Sequence, residues 1–184
     1  MPPHAKRGVM PRTYLLTVAF TVAVVGGVRA QETSYAPRPV VGVGPELVAV
    51  VISAAYCEDS QRTDYRESIE QMKLRLRDTA QERGMTFAVI GVAVDWSAEE
   101  GLRHLQRLGQ FDQFVIGGGW TNVATVELVD RWRSGALTIP QVLVIERTLG
   151  ANSGSAIVSG GRVVERLVRV DAIVRWAAEG FALN

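Results

Sequence analysis

Apolar residues along this chain alternate between two periods. "LVAVVIS" (47–53) is a short continuous apolar run with several β-branched residues, the pattern of a strand buried on both faces. Residues 60–83 follow with Ile69, Met72, Leu76 and Thr79/Ala80 at helical spacing and charges between them, and Gly84 stands where a helix closes. "TFAVIGVAVD" (86–95) predicts a second buried strand. Ser97 and Glu100 then form a capping box for a helix through Leu102, Leu105 and Leu108 to Gly109. "QFVIG" (113–117) is a shorter third strand, 121–135 a helix ended by Gly135, and "QVLVIER" (141–147) a strand entered through Pro140. The pattern changes after that point. "IVSGGRVVERLVRV" (157–170) places a Gly-Gly turn before an alternating run, which suggests a strand antiparallel to its predecessor. "DAIVRWAAEG" (171–180) predicts a final helix with Asp171 as its N-cap. Such β-α repeats, closed by a hairpin and a helix, predict an α/β fold: a three-layer α/β/α sandwich with a mixed central sheet.

The N-terminal residues follow a different rule. Lys6, Arg7 and Arg12 precede "YLLTVAFTVAVVGGV", and "VRA" follows before Gln31. A basic start, a short apolar run and a small-x-small site are the parts of a secretory signal, here with cleavage after Ala30. An uncleaved anchor wants about 20 apolar residues, and Gly26, Gly27 and Arg29 interrupt the run; contact with a membrane is expected only if the signal is retained. Residues 31–45, with Pro37, Pro39, Gly42 and Gly44, read as an extended tether, leaving 46–184 as the folded domain.

Composition alters this picture in two ways. The whole chain of 184 residues carries a formal charge of +1, and residues 1–30 hold four basic residues and no acid, so the remainder is at −3. An exported, mildly acidic chain has no electrostatic case for nucleic acid. Export also implies an oxidising compartment, and the chain has one cysteine, Cys57, so no internal disulfide can form. That thiol is either sealed in the core or meets external thiols and oxidants.

The order of strand, Cys57 at a helix start, long helix, further β-α units, Thr138-Ile139-Pro140, two strands and a helix resembles the thioredoxin superfamily over residues 46–180. The extra strand and helix in "VAVDWSAEEGLRHLQRLGQFDQFVIGG" resemble the insertion of its exported thiol-reductase branch. The resemblance implies that Cys57 is the attacking thiol. It also implies that Pro140 is cis and lies beside Cys57, with Ile139 and Pro140 presenting backbone to an extended substrate and Tyr56 forming a wall. The departures are specific. The family motif is Cys-x-x-Cys, and here "CEDS" puts Ser60 in place of the resolving thiol, as a possible hydrogen-bond partner of Cys57. Val51 stands where thioredoxins proper keep a buried acid, and Ala54 where the peroxiredoxin pattern wants Thr. A two-thiol cycle within one chain is excluded. What remains is a monothiol disulfide oxidoreductase or isomerase served by an external thiol or disulfide-containing protein or peptide. The alternative is a redox-silent scaffold that binds such a partner.

Electrostatics leave the thiol near neutral ground. A helix N-terminus favours the thiolate, while Glu58 and Asp59 oppose it at a similar magnitude. "EDS" is also ordinary capping chemistry, and a lone cysteine at a strand end is often a small hydrophobe. Other candidates are thinner. "VIGGGWTN" (115–122) has the glycines of a phosphate cradle, but Asn122 replaces the third glycine of the fingerprint and no Lys follows. Trp120 either flanks the Cys57 site or caps the core. His104 is expected on a polar helix face, and one Cys with one His after residue 30 makes no zinc site. Arg131, Trp132 and Arg133 read as an amphipathic helix end. No cofactor is implied.

Overall fold

The computed structural model describes residues 34–37, 43–126, 138–152 and 155–183. The signal segment, most of the tether and Arg131, Trp132 and Arg133 lie outside the described residues. The rest forms one α/β fold, built from β1 (Gly44–Ser53), α1 (Thr63–Glu82), β2 (Thr86–Ala93), α2 (Ala98–Arg107), β3 (Gln113–Val115), β4 (Gln141–Asn152), β5 (Ser155–Val168) and α3 (Val170–Ala178). The sheet order is β3-β2-β1-β4-β5, with β1–β2 and β2–β3 parallel and β1–β4 and β4–β5 antiparallel. The sheet is therefore mixed, as the change of pattern after residue 147 predicts.

β1 sits in the middle because it is apolar on both sides. Leu47, Ala49 and Val51 face one core with α1 and α3, while Val48, Val50 and Ile52 face a second core. Its one buried acid, Glu46, lies opposite Arg147 on β4 and accepts a hydrogen bond from Arg147 Nε at 2.6 Å. In α1, Tyr65, Ile69, Met72, Leu76 and Ala80 form the apolar stripe. The helix stops at Gly84 (φ +67), where Gly84 N–H donates to Gln81 and Met85 N–H to Ala80, the paired bonds of a Schellman end. α2 joins α1 on the first face through Leu105 and Leu108. On the second face Trp120, Ala124 and Ile139 pack against the sheet, so Trp120 caps the core. The helix expected over 121–135 is helical at 123–126. Asn122 caps it, its Oδ1 accepting from Thr125 N–H while its Nδ2 donates to Ala93 and Gly119 carbonyls. Asn122 is thus used up in structure, and so is the glycine loop before it.

Three expectations need correction. Gly160 and Gly161 are not the hairpin turn; β4 and β5 pair out to Asn152–Ser155. The two glycines oppose the single residue Arg147, and Gly160 has φ +64, which makes them a β-bulge. Asp171 is not the cap of α3. The N-cap is Arg169, and the Asp171 carboxylate instead takes Arg62 Nη1 at 3.1 Å. Within the stretch read as a tether, Tyr35 is buried, donates to Asp112 at 2.6 Å and meets Phe87 edge-on, so the segment is anchored there.

α2 approaches β2 unusually closely. A Cβ on Gly101 would lie 2.7 Å from Ala93 Cβ, with Asp95 next in line. Gly101→Ala gains about 1 kcal/mol of helix propensity but forces a shift costing about 1–3 kcal/mol. We expect a net loss of stability, read as a lower urea midpoint at unchanged slope. A midpoint equal to or above wild type would show that α2 can retreat freely.

Candidate functional site

The end of β1 and the start of α1 build the turn that carries Cys57. Cys57 N–H donates to Ala54 O at 3.3 Å, and Cys57 is the extended N-cap (φ −90, ψ 117) of a 3-10 turn, Glu58–Gln61. Ser60 N–H closes that turn on Cys57 O at 3.0 Å. The expected continuous helix from residue 60 is therefore split into this turn and α1, which begins at Thr63. Cys57 is half-buried. Its Sγ lies 3.7 Å from the Ile139 carbonyl oxygen, and the Ile139–Pro140 bond is cis. Residues 82 positions apart thus meet. Pro140 is buried, and its carbonyl is held by Arg169 N–H at 2.9 Å. Gln141 pins the same loop by donating to the Thr138 carbonyl, while its own Oε1 accepts from Arg166. Tyr56 is 63% exposed beside the turn.

Ser60 behaves differently from a hydrogen-bond partner of Cys57. The residue is 2% exposed and its Oγ has no hydrogen-bond partner among the described residues. The hydroxyl is turned inward, under the turn.

Beneath the turn lies a polar cluster that the sequence pattern conceals. His104, expected on a polar face, is 1% exposed. Its Nε2 lies 2.8 Å from Ser53 Oγ, and Gln61 Nε2 reaches its Nδ1 at 3.4 Å while also donating to Ala55 O at 2.8 Å. Because an amide nitrogen only donates, this network assigns the proton to Nε2, which donates to Ser53. Burial, reinforced by nearby Arg107, lowers the His104 pKa to about 4, so the ring is neutral at pH 7. Tyr65 is fully buried close by. Burial raises its hydroxyl far above the ordinary value, Ser53 working against this and Cys57 with it. Asp95, buried at the end of β2, accepts the Ala55 N–H with both carboxylate oxygens, at 3.0 and 3.2 Å. Burial pushes its carboxyl up, opposed by that N–H. A signal for His104 was present: Gly101, His104, Leu105 and Leu108 share one helical stripe. Asp95 carries no comparable signal, since its role depends on β2 ending beside Ala55. Among the described residues no group of three or more His, Cys, Asp or Glu is placed to hold a metal ion, and no helix is long and apolar enough to cross a membrane.

No protein-family model matches the sequence, and no curated protein matches it. Three solved structures are similar in chain path. A thiol:disulfide interchange protein from Bacteroides sp. is 12% identical with TM-score 0.41, over 73% of this chain and 72% of that one. A DsbE-type thiol:disulfide interchange protein from Chlorobium tepidum is 16% identical with TM-score 0.39, over 74% and 81%. BsSco, a member of the Sco family of cytochrome c oxidase assembly proteins, is 9% identical with TM-score 0.36, over 73% and 80%. Likeness at this level decides nothing about the chemistry.

Proposed function

We propose that this chain is an exported thioredoxin-fold protein acting as a monothiol disulfide oxidoreductase or isomerase through Cys57, with an external thiol to resolve it. The observation that carries the reading is the setting of the lone thiol: half-buried, at the N-cap of a turn, 3.7 Å from the carbonyl before a cis proline. The basic start, apolar run and small-x-small site of residues 1–30 support export.

In this reading the Cys57 thiolate attacks one sulfur of a substrate disulfide. The S–S bond breaks, and the second substrate sulfur leaves as a thiolate that takes a proton from water. The mixed disulfide on Cys57 then has two fates. Attack on the substrate sulfur of that mixed disulfide by a different thiolate of the substrate forms a new substrate pairing and frees the Cys57 thiolate, which is isomerisation. Attack by an external thiolate on Cys57 Sγ releases reduced substrate and leaves the external thiol on Cys57. A second external thiolate frees Cys57, and two external thiols end as one disulfide. Ile139 and Pro140 support an extended substrate backbone, and Tyr56 lines its path. Ser60 supplies no attacking group.

Turnover of a disulfide-bonded test peptide is expected to be zero without external thiol and to rise with its concentration. Intact mass should show Cys57 carrying one thiol adduct. If the protein adds nothing to the rate of the thiol alone, the second reading stands, a redox-silent scaffold. Exposed Tyr56 and Trp96 (79% exposed) beside the Ala55 turn favour that reading, as a binding surface in search of a partner.

A further inference from the structure

The two peptide units that lead into the Cys57 turn are each held by a side chain. In a trans peptide the C=O of one residue and the N–H of the next share one rigid plane. The Ala54–Ala55 unit is used at both ends. Its oxygen accepts from Cys57 N–H at 3.3 Å, and its N–H donates to the two Asp95 carboxylate oxygens at 3.0 and 3.2 Å. A single peptide therefore links Asp95 to the Cys57 backbone. The negative charge polarises that peptide and makes its oxygen a better acceptor for Cys57 N–H. In the next unit, the Ala55 oxygen accepts from Gln61 Nε2 at 2.8 Å. Gln61 also reaches His104 on α2, which is bonded in turn to Ser53 of β1. The parallel ladder of β1 with β2 stops at Ser53, opposite Ala93, so Ala55 takes its backbone bonds from side chains instead. Asp95 is itself fixed, its own carbonyl accepting from Gly119 N–H at 3.2 Å. It is also kept at a cost, because burial raises its carboxyl in spite of the Ala55 bond. Such costs collect where a fold must hold one geometry.

We propose that Asp95 and Gln61 are positioning residues for Cys57: they fix the two peptides ahead of it and so keep Sγ beside the Ile139 carbonyl, 3.7 Å away. The role rests on the monothiol reading above. Neither residue supplies a reacting group, and no covalent step beyond the exchange already described is involved. Their contribution is geometric, since a displacement of about 1 Å at an attacking atom can cost about 100-fold in rate. Without either bond the turn can rock about the end of β1. Cys57 then leaves the Ile139–Pro140 segment while its thiol stays chemically intact.

Three variants of the full chain test this: Asp95→Ala, Asp95→Asn and Gln61→Met. Gln61 is exposed, so Gln61→Met keeps the side-chain length and the fold but has no donor for the Ala55 oxygen. Two rates are compared per unit of Cys57 thiolate, the thiolate fraction being read from the pH profile of alkylation. One is alkylation by iodoacetamide, which needs only a free thiolate. The other is mixed-disulfide formation with a disulfide-bonded test peptide, which needs the thiolate in place. Asp95→Ala and Gln61→Met should each keep alkylation within about twofold of wild type and lose about tenfold in exchange. Asp95→Asn, which retains an oxygen for the Ala55 N–H, should recover most of that loss. If Asp95→Ala does not fold, Gln61→Met decides by the same two rates. A wild-type exchange rate in either variant removes that residue from the role and leaves the monothiol reading standing. Equal losses in alkylation and exchange overturn the positioning role as well, because the thiol itself would then have changed. Wild-type protein that exchanges no faster than a free thiol would overturn the monothiol reading and the positioning role together.

Discussion

Replacing Cys57 by serine is expected to abolish thiol exchange outright, and replacing Ser60 by cysteine is expected to give the chain a two-thiol cycle. Both outcomes follow from one turn of backbone. The Ser60 N–H···O Cys57 bond at 3.0 Å places the two residues at i and i+3 of a 3-10 turn. There the Cα atoms lie about 6 Å apart and the side chains eclipse, which suits a disulfide. The serine hydroxyl is buried and makes no hydrogen bond among the described residues, so its removal costs little. Under mild oxidant Ser60→Cys should lose about 2 Da and both thiols should escape alkylation, as disulfide formation requires. Its mixed disulfides should then collapse without waiting for an external thiol, so the adduct seen on wild-type Cys57 should not accumulate. Two alkylatable thiols after oxidation would show that Cys57 cannot turn toward position 60. Unchanged activity in Cys57→Ser would remove the thiol mechanism altogether.

The strands were legible because a central sheet imprints itself on composition. β1 is buried on both faces, so its apolar run is unbroken and cannot be mistaken for a surface helix. The antiparallel pairing of β4 with β5 was legible too, since no helix-length segment separates them, whereas that of β1 with β4 was not. Gly160-Gly161 misled because the sequence signal of a turn and of a bulge is the same: residues free to adopt positive φ. Asp171 misled for another reason. An N-cap is only one use for a carboxylate, and Arg62, 109 positions earlier, competes for it. At the site, the nearness of Cys57 to Ile139 and Pro140 was reachable only through the resemblance, which implies that the proline lies beside the thiol. Ser53 and Asp95 were not. Each is an ordinary polar residue whose meaning comes from what another segment places beside it.

Acid should destabilise the fold between about pH 6.5 and pH 4, and His104 should be a principal cause. The sign is fixed by where the proton goes. In the unfolded chain a histidine titrates near 6.5, whereas in the fold His104 titrates near 4. Between those values the unfolded state binds the extra proton, so stability falls as pH falls through that window and is fully present above it. The amount is at most about 3 kcal/mol, from roughly 1.4 kcal/mol per pH unit. Asp95 works in the opposite direction: its raised carboxyl holds a proton in the folded state first, so its contribution grows as pH falls. Asp64, lowered chiefly by Arg62, adds to the acid loss only below this window, under the ordinary carboxyl value. These terms are shared by wild type and His104→Gln, so the informative quantity is the difference between the two proteins. Gln retains a donor for Ser53 and cannot titrate. Urea unfolding at pH 7 and pH 4.5 should show the variant closing the gap on wild type, or passing it, by about 2–3 kcal/mol at the lower pH. An equal gap at both pH values would mean that His104 takes its proton without cost, and that the Ser53–His104–Gln61 link beneath the Cys57 turn is not closed in solution. If the gap closes as expected, protonating His104 takes away the Nδ1 acceptor that Gln61 uses. The same acid window should then loosen Gln61, the last residue of the Cys57 turn, which deuterium exchange at Ser60 and Gln61 would record before global unfolding.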